Sequence, residues 1–190
     1  MKCNNLCRIL FGIAGILVLS SILFPLWSYF IVLPLYPEGL NFHIYANKFA
    51  GNINSINTLN HYTGLAPLDP KYFPELKIIP VILMIFGLFA IIVAVLGNRI
   101  LALAWFVLFA LFGVIGLIDF YLWLYRYGHN VNPKAPLAIE PQTLTMIGIK
   151  KISTITIYAY PNVGALLLLL AALLSFVGIV LSFRIKPEKA

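Results

Sequence analysis

The chain has 190 residues, 62% apolar and 10% charged, with a mean hydropathy of +0.97 and a formal net charge of +7. A water-soluble domain carries about 25% charged residues, so this composition excludes a soluble globule and makes lipid the solvent for much of the surface. The positive charge does not build a nucleic-acid interface either, because its longest basic run is Lys150-Lys151 and no helix develops a basic face.

Cys3 and Cys7 precede the first apolar run. A lipoprotein cysteine would follow a hydrophobic stretch. A secretory leader would be shorter and end in a small-residue cleavage site, so the run is expected to remain in the mature protein. The CxxxC spacing suits a soft metal or palmitate; the plainer alternative is a pair of incidental thiols at a membrane boundary.

Four runs reach the roughly 20 apolar residues that a helix needs to cross hydrocarbon. They are 9–32, 78–97, 100–124 and 162–183. Backbone groups in lipid must pair within their own segment, so each run is predicted as a helix. The first long loop, 33–77, opens on the turn-forming residues Pro34, Tyr36, Pro37, Glu38 and Gly39. Residues 40–47 then alternate. Leu40, Phe42, Ile44 and Ala46 fall on one side, and Asn41, His43, Tyr45 and Asn47 on the other, as in a half-buried strand. An Asn-rich stretch, 52–60, leads to His61, Tyr62, Thr63 and Gly64, and Pro67, Pro70 and Pro74 punctuate the return to the membrane.

On the second span, Gly87, Ala90, Ala94 and Gly97 form a stripe of small residues; on the fourth, Ala171, Ser175, Gly178 and Ser182 form another. Such stripes let helix backbones approach closely in lipid. They fit internal packing seams, or alternatively a dimer face or a sliding contact in a transporter. The third span carries the only internal ionisable group, Asp119. Its distance from the inner end, roughly 30 Å at about 1.5 Å per residue, puts it at the outer interface. It lies one heptad before Arg126, so an interfacial ion pair is expected in preference to a proton or ion site. The second long loop, 125–161, begins with Gly128 as the expected stop of the third helix. It passes irregularly through Asn132, Pro133 and Pro136. It ends in two strand-like runs, 143–150 and 152–160, rich in Ile, Thr and Tyr.

Lys2, Arg8, Arg99, Arg184, Lys186 and Lys189 crowd the two ends and the tight link between spans two and three, whereas the other seven of the 13 Lys and Arg are spread through the long loops. The positive-inside rule then puts both termini in the cytoplasm. All ten Tyr and all three His lie at or beyond the outer boundary. The expectation is one membrane domain over 1–190. It is an all-α transmembrane four-helix bundle with both termini cytoplasmic, under a small β-containing extracytoplasmic cap made by the two long loops. The location expected is a membrane whose cytoplasmic side holds both termini.

The candidate metal ligands are His43, His61 and His129, since imidazole suits copper and zinc. Their spacing is not that of a zinc motif, and the alternative is hydrogen bonding within the cap. No Gly-x-Ser-x-Gly elbow, paired acid–base motif or phosphate-cradling loop marks a catalytic site, so no enzyme is expected.

The phrases Tyr36-Pro37-Glu38-Gly39-Leu40, Ile56-Asn57-Thr58-Leu59-Asn60-His61-Tyr62-Thr63-Gly64, Phe73-Pro74-Glu75-Leu76-Lys77 and Tyr127-Gly128-His129-Asn130, with Asn132-Pro133 after the last, run through both loops. Together they resemble uncharacterised bacterial four-helix membrane proteins associated with nitrous oxide reductase maturation and copper-chaperone lipoproteins. The resemblance implies an accessory role in extracytoplasmic copper handling or copper-enzyme assembly. It supplies no ligand set. The layout is also similar to that of claudin-like proteins in topology alone; their outer Gly-Leu-Trp and cysteine pair are missing. The expected function is a non-enzymatic accessory protein that docks a membrane or extracytoplasmic protein partner and holds copper, as a homo- or hetero-oligomer or alone. The alternatives are a small permease or channel subunit, and a structural subunit of a larger complex.

Overall fold

The structure is a computed structural model that describes residues 3–184. In chain order the elements are α1 (Asn5–Ser21), β1 (Trp27–Leu33), β2 (Tyr36–Ile44), β3 (Phe49–Gly51), α2 (Ile53–Thr63), α3 (Glu75–Leu96), α4 (Arg99–His129), β4 (Gly148–Ile152), β5 (Ile155–Pro161) and α5 (Val163–Arg184), with a 3-10 turn at Pro70–Tyr72. Of the basic residues that set the expected orientation, Lys2, Lys186 and Lys189 lie outside the described residues.

Helices α3, α4 and α5 are long and apolar enough to cross a membrane. Ile85, Leu88, Ile115 and Leu169 stand exposed along them. Such a surface is a liability in water and the normal state in lipid. The chain is therefore a membrane protein in contact with the bilayer.

The first expected span, 9–32, is corrected. Helix α1 starts earlier, where Asn4 caps it by accepting a hydrogen bond from the Cys7 amide at 2.8 Å. It stops at Ser21 after 17 residues. Pro25 lacks an N–H and cannot continue a helix, and Trp27–Leu33 leaves as strand β1. Hydropathy over 9–32 is uniform because a strand buried in a sheet is as apolar as a helix in lipid. Periodicity does not separate the two.

Both small-residue stripes are internal seams, and α1 fills them. A Cβ on Gly15 would lie 2.8 Å from the Gly87 carbonyl oxygen, and one on Gly87 would lie 2.5 Å from Cγ of Leu19. Ala171, Ser175 and Ser182 are buried, and Gly178 faces Leu10 and Cys7. Helix α1 thus packs along α3 and α5, while α4 packs against α3 and α5. At one end of α1, Arg8 donates to the Ala94 and Val95 carbonyls at 2.8 Å each, serving the orphan carbonyls at the end of α3. At its other end, the Asn162 and Gly164 amides each donate at 2.9 Å to Leu26 and Pro25, which ties the 22–26 turn to the start of α5.

The β content exceeds a small cap, so all-α describes only the helical part. The five strands form a single sheet in the order β3-β2-β1-β5-β4, with every neighbouring pair antiparallel. Strand β1 is central and joins the first loop to the second, with Tyr29 opposite Phe42 on one side and Ala159 on the other. The expected strand at 40–47 is β2, shifted to Tyr36–Ile44; those at 143–150 and 152–160 are β4 and β5 with later starts. The Asn-rich stretch is largely α2.

Candidate functional site

Alternation gives the sheet two unlike faces. Trp27, Tyr29, Leu40, Phe42, Ile152, Ile157 and Ala159 are buried on the inner face and pack with Leu124 of α4 and Ile56 of α2. Helix α4 has 31 residues, about 46 Å at a rise of about 1.5 Å per residue, which exceeds a hydrocarbon core of about 30 Å. Its last turns, packed against the sheet through Leu124, serve as the cap's central post. Trp27 fixes the sheet to it, stacking edge-on against Phe120 at 5.2 Å and donating from Nε1 to the Met146 carbonyl at 2.7 Å.

Between sheet, α2 and α4 lies a small apolar cavity of about 80 Å³, lined by Tyr29, Phe42, Leu59, Trp123, Leu144 and Ile157 among others. Its few polar groups are paired. Asn60 Nδ2 donates to the Tyr127 hydroxyl at 2.9 Å, Tyr127 donates to the Ala66 carbonyl, and Tyr29 donates to the Thr145 carbonyl at 3.1 Å. Burial pushes the Tyr29 phenol well above its ordinary pKa, so it stays a neutral donor.

The three histidines do not meet. His43 sits on the outer side of β2, as its alternation predicts, with Nδ1 2.7 Å from Ser28 Oγ. His61 is exposed near the end of α2 and lies edge-on to Tyr62 at 5.9 Å. His129 stacks on Tyr125 at 4.0 Å, and its Nδ1 is 2.8 Å from the Tyr125 carbonyl oxygen. Among the described residues, no three His, Cys, Asp or Glu side chains come close enough together to hold a metal ion. Histidines on separate elements converge only if tertiary packing brings them together, and here His43 turns to Ser28, His129 to the Tyr125 carbonyl, and His61 stays exposed.

Ser28 was not singled out by the sequence. Its hydroxyl, fully buried, bridges His43 and Asn162, whose Nδ2 donates to it at 2.6 Å. This resembles a nucleophile–base pair. Because a substrate carbonyl has no access to a fully buried oxygen, the contact serves as a clasp between β2, β1 and the start of α5.

A second feature lies beside the cap. An open crevice of about 260 Å³ separates the 66–75 segment from the last turns of α4, lined by Ala66, Pro67, Tyr72, Phe73, Glu75, Trp123, Arg126, Tyr127 and Asn130. Phe73 meets Trp123 edge-on at 5.4 Å, and Trp123 stacks on Tyr127 at 5.0 Å. Arg126 Nη2 lies 3.9 Å from Asp119 Oδ1, the interfacial pair expected from their heptad spacing, with side chains 69% and 50% exposed. The sequence placed the tyrosines at or beyond the outer boundary without pairing them; the signal for the crevice was Trp123 and Tyr127 four residues apart on one helix face, with Tyr72-Phe73 in the facing segment. At the far end of the helices, Cys3 and Cys7 are free and buried. Compared with protein-family models, with curated proteins and with solved structures, the chain matches none.

Proposed function

We propose that the chain is a four-span integral membrane protein of the bacterial cytoplasmic membrane, termini inside, whose extracytoplasmic cap docks a protein partner in a non-enzymatic accessory role. Crossing by α1 is supported by its antiparallel fit along α3 and α5. The exposed apolar residues Leu23 and Phe24 extend its 17 residues towards the length of a span.

The docking role rests on the outer face of the sheet. Ile149, Tyr160 and Tyr158 are 69%, 45% and 37% exposed there, with Phe30 beside Tyr158. Lys151 is the one Lys or Arg among the outward-facing strand positions. Interface cores are rich in Tyr and poor in charge. Docking would use the face, because the sheet's edges are blunted. Strand β3 has three residues, and β4 carries Lys150 and Lys151. Among the described residues the interiors of the helices are filled mainly by apolar side chains such as Phe11, Leu83, Trp105 and Phe109, which does not favour a permease. The copper role implied by the phrase resemblance gains no ligand set from His43, His61 and His129.

The test is photocrosslinking in cells from a probe at Tyr158, with Thr58 on α2 as an exposed control. One discrete adduct from Tyr158, lost in Ile149→Asp and absent from Thr58, supports docking. No adduct from Tyr158, or the same adducts from both positions, ends it.

A further inference from the structure

We propose that the crevice between the 66–75 segment and the end of α4 holds the headgroup of a zwitterionic, ammonium-bearing phospholipid drawn from the surrounding leaflet. The inference rests on the membrane-spanning reading and is independent of partner docking by the sheet.

Depth comes first. Helix α3 begins at Glu75 and has 22 residues, about 33 Å at a rise of about 1.5 Å per residue, close to a hydrocarbon thickness of about 30 Å. Glu75 therefore stands where hydrocarbon gives way to headgroups. Arg126 stands farther up α4 by a turn or two, still inside the roughly 40–45 Å that includes both headgroup layers. The crevice opens at the level where headgroups are the most abundant solute.

Chemistry comes second. The crevice carries one cation and one anion. The Arg126 guanidinium spends Nε on the Leu122 carbonyl at 3.3 Å and holds Asp119 only at 3.9 Å. It keeps free N–H groups, and a guanidinium fork suits phosphate. The Glu75 carboxylate is in neither of the ion pairs found among the described residues. Phe73, Trp123 and Tyr127 line the same crevice, together with Tyr72, which is 70% exposed. Aromatic faces next to a carboxylate attract an ammonium group. Phosphate on Arg126 and ammonium against Glu75 and the rings would satisfy both charges at once. A purely anionic headgroup would leave Glu75 repelling it. About 260 Å³ holds a headgroup and leaves the acyl chains in the bilayer.

Native mass spectrometry of the detergent-purified full chain tests this. Phosphatidylethanolamine, phosphatidylcholine and phosphatidylglycerol of matched acyl chains are titrated in, with free phosphoethanolamine as the soluble arm. Both zwitterionic lipids should be retained over phosphatidylglycerol, and the soluble headgroup should bind more weakly than its lipid. Arg126→Gln and Glu75→Gln should each lower retention about tenfold, the effect of losing one charge-assisted contact. An unchanged melting temperature of each variant shows that folding is intact. Equal retention of all three lipids, a preference for phosphatidylglycerol, binding of free phosphoethanolamine as tight as its lipid, or variants that retain lipid like the wild type would overturn the proposal. Both variants keep the outer sheet face, so the Tyr158 adduct reports separately on docking.

Discussion

Glycines separate the seams from the lipid face one residue at a time. Gly15 is held against backbone, with the Gly87 carbonyl oxygen 2.8 Å from where a Cβ would sit, whereas nothing lies within 4 Å of that point at Gly113 or Gly116. Gly15→Ala should therefore force α1 and α3 apart and cost about 1–3 kcal/mol, the range for an overpacked core. Gly113→Ala meets no atom and removes a helix glycine, which favours stability by up to about 1 kcal/mol. Thermal unfolding in one detergent checks both, and the two variants should move the midpoint in opposite directions. Asp119→Asn belongs at this scale too. Its ion pair is about half exposed, and such pairs contribute about 0–1 kcal/mol, so expression and melting should hardly change. The separation of His43, His61 and His129 predicts that the purified wild type, His61→Ala and His129→Ala all hold far less than one equivalent of copper or zinc by elemental analysis. One equivalent in the wild type, lost in either variant, would reinstate the site.

Elements were legible where one physical demand acted on a stretch, and illegible where two demands leave the same trace. Spans 78–97, 100–124 and 162–183 match α3, α4 and α5 within a few residues at most ends, because lipid demands unbroken apolarity. The far end of α4 is the exception. It runs on to His129 because one side of its final turns, with Leu124 buried and Trp123 and Tyr127 partly buried, packs against the cap. The alternation over 40–44 correctly placed Leu40, Phe42 and Ile44 inside and His43 outside. Strand β1 was hidden, because Trp27–Leu33 is apolar on both faces but for Ser28 and prolongs the apolar run of α1. Helix α2 was hidden by asparagines, one of which, Asn57, accepts from the Leu68 amide at 2.7 Å to hold the following loop. Gly128 was legible as important and misread in role. It does not stop α4; its missing side chain makes room for the Gln142 backbone, whose amide donates to the Gly128 carbonyl at 2.9 Å. Gly128→Ala should loosen residues 142–144 from the helix. Faster hydrogen exchange there, with the helical seams unchanged, is the expected readout.

At the scale of the whole molecule, the sheet and the charges answer different halves of the topology. Strand β1 belongs to the first loop and β5 to the second, and they pair along their length from Trp27–Pro161 to Val32–Thr156. The two loops must therefore lie on one side of the membrane, whichever side it is. The opposite end is tied as firmly. The Cys3 amide donates to the Gly97 carbonyl at 2.6 Å and Arg8 reaches the Ala94 and Val95 carbonyls, so the start of α1 shares a side with the link between α3 and α4. Only the Lys and Arg asymmetry says which side is cytoplasmic. Impermeant maleimide labelling of intact cells reads both halves in one experiment. Suitable positions are Thr58→Cys and Ala138→Cys, each exposed and each on a different loop, in a background without Cys3 and Cys7. Both should label in intact cells. Labelling of both only after permeabilisation would invert the orientation and leave the fold standing. Labelling of one without the other would break the β1–β5 pairing itself, and with it the single cap on which the docking and headgroup sites depend.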